Sequence, residues 1–177
     1  GTTDTVLMRF TDYMLVIPDV PLMIIVAALF GRSLTNIVLI IGLIYWTSTA
    51  RIIRSQVKSI RERVYVKRAR ALGASNTRVI TRHILPQVAP LLIANTVLLI
   101  ALAIFAETFI TFLGLGDPSL LSWGRLIENS FKDDALLNDA WWAIVPPGVC
   151  VVLVVLSFTL IGQALEEVLN PRLKDRR

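Results

Sequence analysis

The side chains able to do chemistry are few and far apart. His83 is the only histidine and Cys150 the only cysteine, so no disulfide framework or cysteine metal site can form within this chain. No Cys, Asp or Glu stands at metal-ligand spacing from His83, and a structural contact at a helix end is expected of it. A G-x-x-x-x-G-K-[ST] run, whose backbone amides would cradle nucleotide phosphates, is absent. No nucleophile is matched with a base, so catalysis and cofactor binding are not expected of this chain.

The carboxylate in the most unusual setting is Glu107, within IFAETFITFLGLG. An ionisable group inside an apolar run is costly and marks either a functional site or a place near water. Here the run ends about 10 Å of helix further on. Trp46, Asn95 and Thr96 are the other candidates for an aqueous path. Equally, Asn95 and Thr96 could be interhelical hydrogen-bond partners and Trp46 a packed aromatic.

The elements that must position these groups are membrane spans. Hydrophobic residues make up 55% of the 177 and they gather in runs, each near the roughly 20 residues that cross a bilayer. The expected fold class is an all-α membrane protein, a multi-span helical bundle with spans at about 5–30, 34–57, 88–113 and 141–165. Pro18 and Pro21 flank Asp19 in the first, which predicts an interrupted helix whose freed backbone groups are satisfied within protein. Trp141 and Trp142 read as interfacial anchors at the start of the fourth.

Between the second and third spans lies RIIRSQVKSIRERVYVKRARALGASNTRVITRHILP, with ten Lys or Arg residues and one acid. The tail NPRLKDRR adds four cations, whereas the loop at about 115–140 holds Arg125 and Lys132 against five acids. The positive-inside rule places the insert and both termini in the cytoplasm of a cell-membrane protein, and the acidic loop outside. SWGRLIENSF, in that outer loop, reads as a short helix that could meet an extracellular protein. The overall charge of +5 does not suggest nucleic acid, because it sits beside spans and lacks stacking aromatics beyond Tyr65.

From charge alone the insert is a topology signal on anionic lipid. Its pattern adds more. One helix is expected from about Ile60 to Leu72, ending at Gly73; Ser75 can cap a second, NTRVITRHIL, before Pro86 redirects the chain. On a helical wheel Tyr65, Val66, Ala69 and Leu72 form one weakly apolar stripe. Ile60, Val64 and Ala71 form another, nearly opposite, with basic residues between them. A helix lying on a membrane needs one apolar face; two faces suit a helix gripped from two sides.

ARALGASNTRVITRHILPQVAP resembles the cytoplasmic signature of the membrane subunits of ABC importers, an E-A-A-x-x-x-G helix followed by a second conserved spacing. Gly73 stands at the motif glycine, with His83, Leu85 and Pro86 at the later positions. FLGLG…SWG, within Thr111–Ile127, together with MRFTDYMLVIP and LIGQALEEVLNPRL, is similar to the dipeptide, oligopeptide and nickel permeases, especially the second of their paired subunits. The resemblance covers essentially the whole chain and implies a type I importer permease fold with a cytoplasmic coupling helix in the loop at about 60–86.

That resemblance implies that Tyr65, Val66, Lys67, Ala69, Leu72, Gly73, Ala74 and Ser75 meet an ATPase subunit, with His83 and Pro86 shaping the loop. It implies a homologous second permease, two ATPase subunits carrying ATP and Mg, an extracellular or periplasmic substrate-binding protein and membrane lipids as partners. Peptides are the expected substrates, with nickel complexes, glutathione or oligosaccharides as alternatives. A stand-alone channel or secondary transporter is the distant rival. Two departures stand out: Lys67-Arg68-Ala69 replaces Glu-Ala-Ala, and members of the subgroup usually carry two further spans upstream.

Overall fold

The computed structural model describes residues 1–169, so the basic tail and the NPRL part of its motif lie outside the described residues. Among the described residues seven helices follow one another, with a single 3-10 turn at Trp141–Ala143 before the last. They are α1 (Thr2–Val16), α2 (Asp19–Phe30), α3 (Leu34–Arg61), α4 (Val64–Ala71), α5 (Asn76–Leu115), α6 (Trp123–Lys132) and α7 (Val145–Leu169). Three of them are long and apolar enough to cross a membrane, or four spans result if α1 and α2 count as one broken pair.

The first expected span is broken at its proline. Ile17 and Pro18 are extended and α1 meets α2 at 86°, because a residue before proline is pushed out of the helical region. Asp19 then lies in the first turn of α2, where the helix dipole favours a carboxylate. Two charge pairs tie α1 to α3: Arg54 grips Asp4 at 2.6 Å and Arg51 meets Asp12 at 2.7 Å.

Two boundaries differ from the sequence expectation. Ile60 and Arg61 close α3 instead of opening the loop helix; the break falls at Glu62 and Arg63, the latter extended at φ −67° and ψ 144°. Neither residue is a helix breaker, so packing decides: Ile60 is buried against the loop's own core from the end of α3. Nor does Pro86 redirect the chain. The helix continues from Asn76 to Leu115, with a wider π turn at Ile80–Ile84 just before the proline. A wide turn accommodates a ring that would otherwise press on the carbonyl one turn back, and a residue with no N–H to donate.

Two cores organise the bundle. Met23 and Ala27 of α2, Ile37, Ile40 and Ile44 of α3, and Ile110 of α5 form one. The other is the loop core of Ile60, Val66, Val79, Ile84 and Val88. The spans bury little else within the chain: of the apolar stretch of the last span only 11% is buried. The rest needs lipid or other helices as its solvent, since these segments satisfy their backbone internally but cannot hide their side chains from water.

Candidate functional site

The site is built where α3, α4 and the start of α5 meet. α4 stops in a two-bond motif: the Gly73 N–H donates to the Arg70 carbonyl and the Ala74 N–H to the Ala69 carbonyl, each at 3.0 Å. Those bonds satisfy carbonyls a helix end leaves open, and they require a left-handed residue, which Gly73 supplies at φ +83°. Ser75 accepts from the Arg78 N–H at 3.3 Å and so caps the next helix. The turn therefore sets a fixed angle between α4 and α5.

Burial sorts the α4 side chains into two faces. Val66 is 0% exposed and packs on Ile60, Val79, Ile84 and Val88; Ala69 and Ala74 are half-buried beside it. On the far side Val64 is 62% and Leu72 89% exposed, with Ala71, Lys67 and Arg68 also open to solvent. The two expected stripes are recombined: Val66 faces the protein's own core together with Ile60, Ala69 is half-buried beside it, and Leu72, which the wheel grouped with Val66, is open to solvent with Val64 and Ala71. Val64, Ala71 and Arg68 belong to the open face, which the wheel alone could not orient.

Tyr65 works inside the loop. Its hydroxyl donates to Gln87 Oε1 at 2.8 Å, Gln87 donates to the His83 carbonyl at 2.8 Å, and the Tyr65 and His83 rings lie 6.2 Å apart. Gln87 is thus a loop organiser that the sequence reading missed. Lys67, where the motif has glutamate, binds Glu62 at 2.9 Å. That hydrogen bond, then the Lys67 charge and those of Arg61 and Arg70, holds the Glu62 carboxyl below its usual range.

The four path candidates are not brought together. Trp46 stacks on Phe10 at 6.3 Å, and Asn95 donates across to Thr49 of α3 at 2.8 Å. Thr96 bonds its own helix at Leu92. Glu107 lies twelve residues beyond Asn95 along α5, roughly 18 Å, and accepts from Thr111 at 2.8 Å. It lines an apolar cavity of about 650 Å³ with Ile41, Ile100, Ile104, Trp123 and Leu126.

At that same end, α6 is held against α5 by features only partly visible in the sequence. A Cβ at Gly124 would sit 2.9 Å from Thr111 Cβ and closer still to the Thr108 carbonyl oxygen, so the SWG glycine permits helix contact. Glu128 is 4% exposed and is flanked by Arg125 at 3.6 Å and by Lys132; the spacing of three and four residues was the available signal. Asp117 accepts from the Ser119 hydroxyl and N–H at 2.6 and 2.9 Å, bonds that lower its pKa.

Comparison with known proteins adds relatives to this geometry. The family described as "Binding-protein-dependent transport system inner membrane component" matches residues 1–175. A putative peptide transport system permease protein of Brucella suis biovar 1 (strain 1330) is 40% identical over 97% of this chain and 57% of its own length. From Bacillus subtilis (strain 168), the oligopeptide transport system permease protein OppC and the dipeptide transport system permease protein DppC are each 30% identical over 98% of this chain. The match covers 56% and 54% of their lengths respectively. The chain thus spans little more than half the length of these relatives.

Proposed function

The chain belongs to the family of binding-protein-dependent transport system inner membrane components, and from that premise we propose that it is part of a membrane subunit of an ATP-driven peptide importer. The loop and both termini face the cytoplasm, and the α6 end faces outward to a substrate-binding protein. Two ATPase subunits hold ATP and Mg, and a homologous second permease completes the pathway. Peptides are favoured as substrate by the names of the relatives.

One observation carries the reading: a helix with an open apolar cap is locked from behind to two span-length helices. Val66 keys α4 into Ile60 at the end of α3 and into Val79, Ile84 and Val88 along α5. A push on α4 therefore reaches both spans without first unfolding the loop. Nucleotide-driven movement of the ATPases would tilt α3 and α5 and open the membrane path to one side or the other. Glu107 and its cavity stand near the outer end of that path.

The test is crosslinking. Cysteine replaces Leu72 or Ala71 in the full-length permease, co-expressed with its ATPase subunits. Both positions should crosslink, with a yield that changes with nucleotide. An intact complex that yields no crosslink from either position in any nucleotide state removes the docking assignment.

A further inference from the structure

The open face of α4 has an unusual charge. Around the exposed Val64, Ala71 and Leu72 stand Lys67 and Arg68, both open to solvent. On the helix, Arg68 falls between Val64 and Leu72, so the apolar cap has a guanidinium near its centre. Glu62 is the only acid between residues 51 and 86. Among the described residues the ion pairs of the loop at 60–86 both use it, with Arg61 at 3.8 Å and Lys67 at 2.9 Å.

Accepting that this loop docks on the ATPase, we propose that the groove receiving α4 is acidic, with an apolar floor for Leu72 and Val64 and carboxylates facing Arg68 and Lys67. Glu62 acts as the internal stand-in: it holds Lys67 while the groove is empty and yields it when a partner carboxylate arrives. An apolar groove without acids would bury Arg68 uncompensated, and the lost hydration of its guanidinium would oppose docking. A basic groove would set like charges face to face.

An anionic lipid surface fits less well. Arg51, Arg54, Lys58 and Arg61 recur along the last part of α3, so this helix leaves hydrocarbon near Arg51 and continues for about 15 Å before α4 begins. The open face of α4 also places Arg68 among its apolar residues, instead of offering an undivided apolar side to acyl chains.

The experiment titrates purified ATPase subunits onto the full-length permease pair in nanodiscs, at low and high salt. Lys67→Glu and Arg68→Glu should each weaken binding about tenfold or more at low salt, by placing like charges together. The wild-type affinity should fall as salt rises. Glu62→Gln should tighten binding, because Lys67 no longer has an internal partner. A loop that merely needs its ion pair intact would respond to Glu62→Gln and Lys67→Glu in the same direction. Hydrogen exchange at the Val66 amide, unchanged in each variant, certifies the fold.

Leu72→Asp separates the two levels of the reading. If it abolishes binding while Lys67→Glu and Arg68→Glu bind as wild type, docking stands and the acidic groove is wrong. If all of these variants bind as wild type, the docking assignment itself falls. Binding lost equally in Glu62→Gln and Lys67→Glu also overturns the proposal. So does unchanged ATPase binding accompanied by lost affinity of the permease for vesicles of anionic phospholipid.

Discussion

Val64 and Val66 provide a controlled comparison, the same residue two positions apart on one helix. Val66 is wholly buried and Val64 is mostly exposed. Replacing either with alanine raises helix propensity by a similar few tenths of a kcal/mol, so that contribution cancels in the comparison. At Val66 the change removes two buried methyl-sized groups, about 1.6 kcal/mol at 0.8 each, and leaves a small cavity in a core of only five buried residues. A total of about 2 kcal/mol follows. At Val64 the loss is under about 0.5 kcal/mol, as for other surface changes. Hydrogen exchange on the full-length protein in nanodiscs reads this directly. Val66→Ala should speed exchange of the α4 amides roughly thirtyfold, since each 1.4 kcal/mol is a factor of ten, and Val64→Ala by no more than about twofold. Equal acceleration by both substitutions would refute the inward placement of Val66, and with it the mechanical link between α4 and the spans.

Other positions give further outcomes. Gly73→Ala must hold a left-handed φ and should destabilise the α4–α5 turn by about 1–2 kcal/mol, with Gly73→Asn costing less; amide exchange at Ala74 reports both. Gly124→Ala forces α6 off α5 and should lower the melting temperature of the detergent-solubilised protein, whereas Gly148→Ala, with open space around it, should not. For Glu62 the folded pKa is depressed by Lys67. Its contribution is therefore present above the ordinary carboxylate range and is lost as pH falls through the lowered folded value. Carboxyl NMR should show Lys67→Ala moving the Glu62 titration back up toward the ordinary range.

Most of the fold is legible in the sequence where one physical constraint acts alone. Apolar length reveals α3, α5 and α7, Pro18 predicts the broken first span, and Gly73 with Ser75 marks the turn after α4. Reading fails where distant packing arbitrates. The wheel separates Val66 and Ala69 from Val64 and Ala71, but nothing local says which pair turns inward. Ile60, Val79, Ile84 and Val88 decide it, drawn from both sides of α4. The same core keeps Ile60 in α3, which shifts the loop helix past Arg63. Pro86 misleads for a different reason. A proline normally argues for a break, yet a π turn absorbs it and leaves the long helix continuous. Tyr65 is marked by the resemblance and Asn95 by its polar type, and in the fold each has a bonding partner, Gln87 or Thr49, that composition could not identify.

That continuity bears on how movement at the loop would reach the membrane. α3 has 28 residues and α5 has 40, about 42 and 60 Å at 1.5 Å per residue, against a hydrocarbon core of roughly 30 Å. Each helix therefore extends well beyond the bilayer before meeting the loop core, and neither has a break between its apolar stretch and that core. α1 is strapped to the α3 extension by Asp4–Arg54 and Asp12–Arg51, so three elements share one rigid corner. The compliant places in α5 are the π turn at Ile80–Ile84 and the last turn at Thr111–Leu115, where Gly114 leaves helical backbone at φ +82°, one at each end of the rod. Deleting one residue from the regular stretch of the rod, at Leu92, would by contrast rotate the loop core and α4 by about 100° relative to the span. The loop core would then face the wrong side, and crosslinking from Leu72 should be lost while the protein remains membrane-inserted. Undiminished crosslinking in that deletion would mean that α4 finds its partner independently of α5, and the lever would have no fulcrum.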